Sequence, residues 1–411
     1  MARMEQSTEI CIVGAGAAGL WAAAACARRG ASVLVLEKTR RTGTKVLSSG
    51  GSRCNLTTTL SAGATARHFG AAHNFIKPGL KALTPQDVRE HFESLGVKTK
   101  VEEEFEKVFP ASDSALQVRN ALLHDAKARG AQFVLEAAVT GLERTGAGWI
   151  AHTGQGTDNP GRVHCKKLLV CVGGQSYPKT GCTGDGYTWL RQLGLHVVDP
   201  VPALVPLTSP APWVHELSGT AIDGELRIGK HRRRRPVLFT HAGLSGPGPM
   251  DLSFAVTRGG EREARLDLLP DMGWEPLRAL LIEGAGRPGS PRLASVLPLP
   301  RRLVGLVSRR AELPDLNPQL NQLSKAGRHR LVEAIKGLRI PISGSLGFAK
   351  AEVTAGGLAL DHVDRLTMEV HGHPGLYVFG ELLDLTGPIG GFNFQAAFST
   401  ANLAARAAIS G

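Results

Sequence analysis

The chain has 411 residues, with 48 Lys and Arg against 36 Asp and Glu and a formal net charge of +12. That length suits two or three domains, and 42% hydrophobic with 20% charged residues excludes a wholly disordered chain. The 50 glycines follow no G-X-Y period, which excludes collagen and points to many turns and close backbone approaches. Residues 10–27 form an uncharged run at the lower edge of a membrane span. Gly14, Gly16 and Gly19 interrupt it, and Glu5 and Glu9 ahead of it have the wrong sign for a signal peptide. It therefore reads as a buried strand, a glycine turn and a buried helix. The six cysteines make no C-x-x-C and no metal-ligand spacing. A reduced, metal-free, cytoplasmic protein without a membrane span is the expectation.

The first recognisable unit begins with the apolar run 9–13, followed by Gly14-x-Gly16-x-x-Gly19, an Ala-rich helical stretch to Gly30, and the apolar run 32–36 ending at Glu37. Strand, G-x-G-x-x-G, helix, strand and acid together make the dinucleotide-binding fingerprint in its required context. Gly14 makes the tight turn, Gly16 lets the backbone approach a pyrophosphate, and Gly19 allows close helix–strand packing. The N–H groups around Ala17 and Ala18 at the helix start face the phosphates, and Glu37 is placed to accept the ribose hydroxyls. A carboxylate there repels a 2′-phosphate, so NADP is disfavoured at this site. A second match to the pattern, Gly284-x-Gly286-x-x-Gly289, follows a helical stretch and contains Pro288; it is a chance match.

Past Glu37 a polar, glycine-rich loop carries Lys38, Gly43, Lys45, Ser49, Gly50, Gly51, Arg53 and Asn55. Such a loop suits a cofactor that continues beyond its pyrophosphate toward a large ring. The strand-like run 168–172 leads into Gly173 and Gly174, then Gly184 and Asp185, an arrangement similar to two-dinucleotide-binding-domain flavoproteins of the fumarate reductase type. Near the C-terminus a strand-like run precedes Gly380, Glu381 and Asp384, then Gly390, Gly391 and Asn393 open a final Ala-rich helix. An acid there can bind ribityl hydroxyls, and a helix N-terminus can stabilise negative charge on a reduced ring. Lys45 and Arg53 are expected to bind phosphate or position the ring. Val139 completes the set of candidate cofactor-binding residues.

Gly43-x-Lys45, Ser49-Gly50-Gly51-x-Arg53-Cys54-Asn55, the 240–247 segment and Gly380-Glu381 with Gly390-Gly391-x-Asn393 together resemble the BaiN/YhiN-like flavoproteins over essentially the whole chain. The family pattern has Gly where this chain has Ser52, and often Asn where it has Thr58. The resemblance implies FAD as cofactor, oxidoreductase activity, and an FAD domain split by an inserted β part and a small helical part. With only one dinucleotide site, NAD(P)H would act as a transient electron donor at the same active-site mouth.

In the middle of the chain, strand-like pieces near 203–207, 215–228, 236–240 and 262–268 give way to helical patterns over 274–337. Residues 343–360 return to strand-like character, with a turn at 352–357. His241 and Ser245 are the candidate catalytic residues: histidine is the side chain whose charge changes nearest neutral pH, while Ser245 also reads as a helix cap before Pro247. The run 231–235, a histidine and four arginines, has two readings, a nucleic-acid or acidic-partner patch and a hairpin turn with solvated side chains; no aromatic residues interleave with it and no nucleic-acid-binding motif accompanies it, which favours the turn over a nucleic-acid partner. The sequence thus predicts an α/β protein: a Rossmann-type FAD-binding domain of the two-dinucleotide-binding-domain flavoprotein type, at 1–194 and 343–411. Between these parts lie an inserted β-rich subdomain at 195–270 and a helical one at 271–342. The expected activity is flavin-mediated two-electron transfer on a small-molecule substrate. An FAD protein that modifies or binds RNA, and a flavin-binding protein without turnover, are the alternatives. No oligomeric state is assigned.

Overall fold

Four apolar residues in a row, Ile10 to Val13, bury the end of strand Glu5–Val13, which takes parallel partners on both sides, Val33–Leu36 and Arg162–Val170. A strand buried on both faces needs this continuous apolar character rather than alternation. The computed structural model describes residues 5–103, 106–154 and 160–410. They divide into two units, Met1–Val201 with Glu352–Gly411, and Pro202–Ala351.

In the first unit the sheet runs Gln132–Val134, Val33–Leu36, Glu5–Val13, Arg162–Val170, Gly148–Thr153, Val139–Thr145. The Arg162–Val170 strand shares its outer edge: its first half pairs antiparallel with Gly148–Thr153 and its second half parallel with Leu376–Val378. Helix Ala17–Ala27 has nine of its eleven residues buried, packing against Ala115–Ala128 and the long C-terminal helix Phe392–Ser410. Its alanines and Gly19 permit this close approach, which explains why it is apolar all round. At 1.5 Å per residue it is about 16 Å long, half a bilayer core. No helix among the described residues is long and apolar enough to cross a membrane.

The second unit has a seven-stranded sheet in the order Leu338–Pro341, Glu263–Asp267, Ala221–Ile228, His231–Phe239, Gly243–Ser245, Leu207–Thr208, Gly344–Ser345. Strict alternation marks it: Leu226, Ile228, Ala264, Leu266, Leu338 and Ile340 are buried, and the residues between them face outward. The buried face shares a hydrophobic core with helices Trp274–Ala285, Arg301–Arg310 and Lys325–Lys336.

The unit boundaries fall at 201/202 and 351/352, against 194/195 and 342/343 in the sequence reading. Three local expectations are corrected. Residues 353–358 form a strand rather than a turn, with all six residues buried. Part of 215–228 is helical, Pro212–Glu216, because Pro212 occupies the first helical position. The arginine run is not a turn: it lies in strand His231–Phe239, which pairs in full register with Ala221–Ile228 and leaves the turn to Gly229 and Lys230.

Candidate cofactor site

The three fingerprint glycines differ in what requires them. Gly14 has φ +103°, and a Cβ there would lie 2.8 Å from the Cys171 carbonyl oxygen; a Cβ on Gly19 would lie 1.9 Å from the Gly14 carbonyl oxygen. Both are explained by the protein's own packing. Gly16 is not: its φ is −75°, and a Cβ would meet nothing within 4 Å. The chain itself leaves open space at the N-terminus of the Ala17–Ala27 helix. That helix has no side-chain cap and no acid in its first turn. Its first N–H groups have no intrahelical acceptor and point at that space with the positive end of the helix dipole. This is a cradle that a pyrophosphate fits.

Glu37, at the end of its strand, accepts from the Ala15 N–H at 2.9 Å through Oε2, and from the Thr39 N–H and hydroxyl at 2.8 Å through Oε1. The acid is thus fixed beside the glycine loop, with lone pairs left over for hydroxyl donors. The Gly43 N–H donates to the Ala15 carbonyl at 2.8 Å, bringing the following loop to the same place. Lys38 reaches across to Asp185 at 2.6 Å.

Lys45 and Glu381, 336 positions apart, form the centre of a polar post. The Lys45 Nζ lies 2.7 and 2.6 Å from the two Glu381 oxygens and 2.5 Å from the Ser176 hydroxyl. Ser176 Oγ donates to Glu381 at 2.9 Å, and so does the Thr354 N–H. Thr354 Oγ1 in turn accepts from the N–H groups of Gln175 and Ser176. Gly174 is needed here, since a Cβ would fall 2.3 Å from that hydroxyl oxygen. A Cβ on Gly173 would meet Cys182 Sγ at 3.3 Å and Glu381 Oε2 at 3.8 Å, while one on Gly380 would meet the Ala18 Cβ at 3.2 Å. The segments at 14–19, 37–45, 173–185 and 380–381 therefore share one neighbourhood. Buried nearby, the Tyr187 hydroxyl has no hydrogen-bond partner among the described residues; desolvation, reinforced by Glu381, Cys182 and Asp384, pushes its pKa far up.

Other candidates are engaged in holding the loops. Arg53 is clamped by Glu102 at 2.5 Å and Asp113 at 2.7 Å and stacks over Phe109. The Asn55 carboxamide bridges its loop to Gly391, its NH2 group facing the Val108 and Thr57 carbonyls and its oxygen the Gly391 N–H. Asn393 holds both the N–H and the carbonyl of Gly387 at 2.9 Å. Asp384 accepts from the Gly356 N–H at 2.9 Å, and Ser49 donates to the Val46 carbonyl. Gly184, at φ +81°, precedes helix Asp185–Gln192. A Cβ on Gly390 would strike the Phe392 ring at 2.8 Å, and Val139 is buried at a strand start. Gly50, Gly51, Ser52 and Cys54 all have φ between +54° and +68°. Burial pushes the Cys54 thiol up to about 12, so it stays protonated at neutral pH.

His241 and Ser245 belong to the second unit. His241 is exposed in the turn that Thr240 closes through its hydroxyl, which accepts from the Ala242 and Gly243 N–H groups. Ser245 is not the helix cap: it ends strand Gly243–Ser245, and Gly246, at φ +87°, occupies the cap position before Pro247. The sequence reading missed Ser176, Thr354 and Tyr187. The first two lie inside segments it had already singled out, but neither residue type announces a partner so distant in the chain.

A sheet with a parallel core, a dinucleotide fingerprint and a long polar loop beyond it define a Rossmann-type dinucleotide-binding fold, and the family the chain matches makes it an FAD-dependent oxidoreductase. The chain matches the family described as HI0933-like protein Rossmann domain over residues 8–407, and it belongs to that family. It is 32% identical to a ribosomal RNA dihydrouridine synthase of Escherichia coli over 95% of each chain. It is 30% identical to a 3-dehydro-bile acid delta(4,6)-reductase of Clostridium scindens, over 97% of this chain and 98% of that one. Among solved structures, a 3-ketosteroid delta1-dehydrogenase of Sterolibacterium denitrificans superposes with a TM-score of 0.52 at 14% identity, covering 98% of this chain and all of that one; that likeness is one of fold.

Proposed function

We propose that this protein reduces a carbon–carbon double bond conjugated to a carbonyl, and that its substrate is a uridine of ribosomal RNA. The reduction is carried by what the two relatives' names have in common, and the RNA substrate by the name of the Escherichia coli relative. Making dihydrouridine saturates the uracil C5–C6 bond, which is conjugated to the C4 carbonyl; a delta(4,6)-reductase acting on a 3-keto steroid also saturates bonds in conjugation with a carbonyl. Both reactions add a hydride to one carbon and a proton to the other. FAD bound in the cradle supplies the hydride chemistry once reduced.

The chain's own part is binding, orientation and proton supply. The Ala17–Ala27 N-terminus, with Gly16 open, would hold the pyrophosphate, and Glu37 the adenosine ribose. The Lys45–Glu381–Ser176–Thr354 post would hold the 173–176 and 380–381 loops rigid beside the ring. His241 is the candidate proton donor by residue type. NAD(P)H is the electron donor the reading calls for.

The test is anaerobic mixing of the FAD-loaded protein with NADH and, separately, NADPH, followed by deproteinised ribosomal RNA. Bleaching of the flavin bands, then their return with dihydrouridine in the RNA digest, is the expected result. Bleaching by either nicotinamide with no reoxidation by RNA sinks the RNA substrate. Reoxidation by a 3-keto-4-ene steroid instead supports the second reading, which the bile-acid relative favours.

A further inference from the structure

The +12 charge is unevenly distributed. Residues 202–351 hold 22 Lys and Arg against 13 Asp and Glu, a net +9, and 18 of the 22 are arginines. The rest of the chain, much longer, carries only +3. Most arginines in the second unit have internal work. Arg235 pairs with the buried Asp251, Arg234 with Asp271 and Asp223, and Arg309 with Glu216. Arg302 donates to the Ser218 and Glu216 carbonyls.

One set is different. Arg339 stands directly opposite Arg265, Arg265 opposite Arg227, and Arg227 opposite Arg232, so four adjacent antiparallel strands place four arginines in a single row. Residues paired across antiparallel strands project to the same face, and all four are exposed, on the face opposite the buried Leu226, Ile228, Ala264 and Leu266. With strands about 4.8 Å apart the row is about 14 Å long. Arg265 pairs with Glu263, and Arg227 Nε donates to the Gly229 carbonyl. Arg232 and Arg339 have no side-chain partner among the described residues. Like charges directly opposite one another oppose sheet formation; Glu263 offsets that cost at Arg265, but no carboxylate pairs with Arg232 or Arg339 at the ends of the row. Glu225 and Asp267 flank it on one side, but Lys336 holds Asp267.

We infer that this row is a docking surface for the phosphodiester backbone of RNA. Guanidinium forks match phosphate oxygens in pairs, the row supplies them at a regular spacing, and no aromatic side chain interleaves to stack on bases. Recognition here is of the backbone, independent of sequence. The inference deepens the RNA reading above by naming where the polymer is gripped, and it rests on that reading.

The experiment is fluorescence anisotropy of the FAD-loaded protein with a labelled single-stranded RNA, at several salt concentrations. It compares the wild type, the row variant Arg227→Gln/Arg232→Gln/Arg265→Gln/Arg339→Gln, and the double variants Arg232→Gln/Arg339→Gln and Arg278→Gln/Arg287→Gln. The last pair removes the same charge from the same unit away from the row. The row variant should bind at least about tenfold more weakly and lose about 2 to 3 from the slope of log affinity against log salt, at roughly 0.7 per phosphate contact. The Arg232/Arg339 pair should weaken binding more than its charge-matched control. Equal losses in the two double variants, an unchanged salt slope, or tighter binding of poly-glutamate than of RNA would each overturn the inference. Dihydrouridine assays on the same proteins separate the two claims. Row-dependent binding without dihydrouridine leaves the surface standing and removes the substrate, whereas dihydrouridine formation with row-independent binding does the reverse.

Discussion

The two units use polar side chains in opposite ways. In the first, Lys38, Lys45 and Arg53 are each held by a carboxylate of the same unit at 2.5–2.7 Å, and charge serves to fix loops in place. In the second, Arg232 and Arg339 stand in line on an open sheet face with no such partner among the described residues. The six cysteines and three tyrosines also all lie in the first unit. Where charge is neutralised internally it builds a rigid frame; where it is left exposed in a regular row it is available to a polyanion.

The comparison can be broken hardest at the glycines of the frame. Gly19→Ala places a methyl 1.9 Å from the Gly14 carbonyl and should cost on the order of 3 kcal/mol, read as a lower midpoint in urea with FAD retention lost. Gly16→Ala meets nothing within 4 Å among the described residues. It should leave the apoprotein's midpoint unchanged while weakening FAD at least tenfold, and an unchanged FAD affinity would refute the cradle.

Alkaline pH should act on the first unit alone. Burial raises Cys26 and Cys54 from 9.0 to about 12, so the folded state keeps protons that the unfolded state releases above about pH 9. Their contribution is fully present below pH 9 and is lost as pH rises toward 12, at about 1.4 kcal/mol per pH unit for each thiol. Hydrogen exchange at pH 8 and pH 10 should show the loss confined to amides outside 202–351, and Cys26→Ala should shrink it.

Lys45→Met leaves the Glu381 carboxylate with only Ser176 and Thr354 as donors. It should lower stability by about 1–2 kcal/mol, with Lys45→Arg partly restoring it. Ser52 sits at φ +68°, where the family pattern has glycine; Ser52→Gly should raise stability by about 1 kcal/mol. The smallest effect tests the row. Arg232→Thr relieves like-charge repulsion opposite Arg227 and should raise stability by about a few tenths of a kcal/mol, read as a slightly higher thermal midpoint, even as RNA affinity falls.

The frame was largely legible in the sequence because its signals are local. An apolar run, three spaced glycines and an acid 18 residues later fix strand, turn, helix and the place of the acid without reference to the rest of the chain. Legibility failed where a residue's partner is remote. Arg53 has the composition of a phosphate ligand, but Glu102 and Asp113, about fifty and sixty positions away, hold it. The run 231–235 has no apolar alternation and so looks like a turn; its pairing with Ala221–Ile228 is what makes it a strand. The arginine row was invisible for the same reason, since its members are scattered from 227 to 339 and only register aligns them.

Strands Val197–Ala203 and Val353–Leu358 are hydrogen-bonded neighbours, so the chain leaves the first unit and returns to it through one strand pair. The sheet, the glycine loops and the Lys45–Glu381 post of the frame all lie outside the stretch between the two crossing points. One continuous stretch of gene, 202–351, therefore encodes the whole second unit. A chimaera joined at 201 and 352 between two relatives of different substrate measures directly how much of specificity that stretch carries.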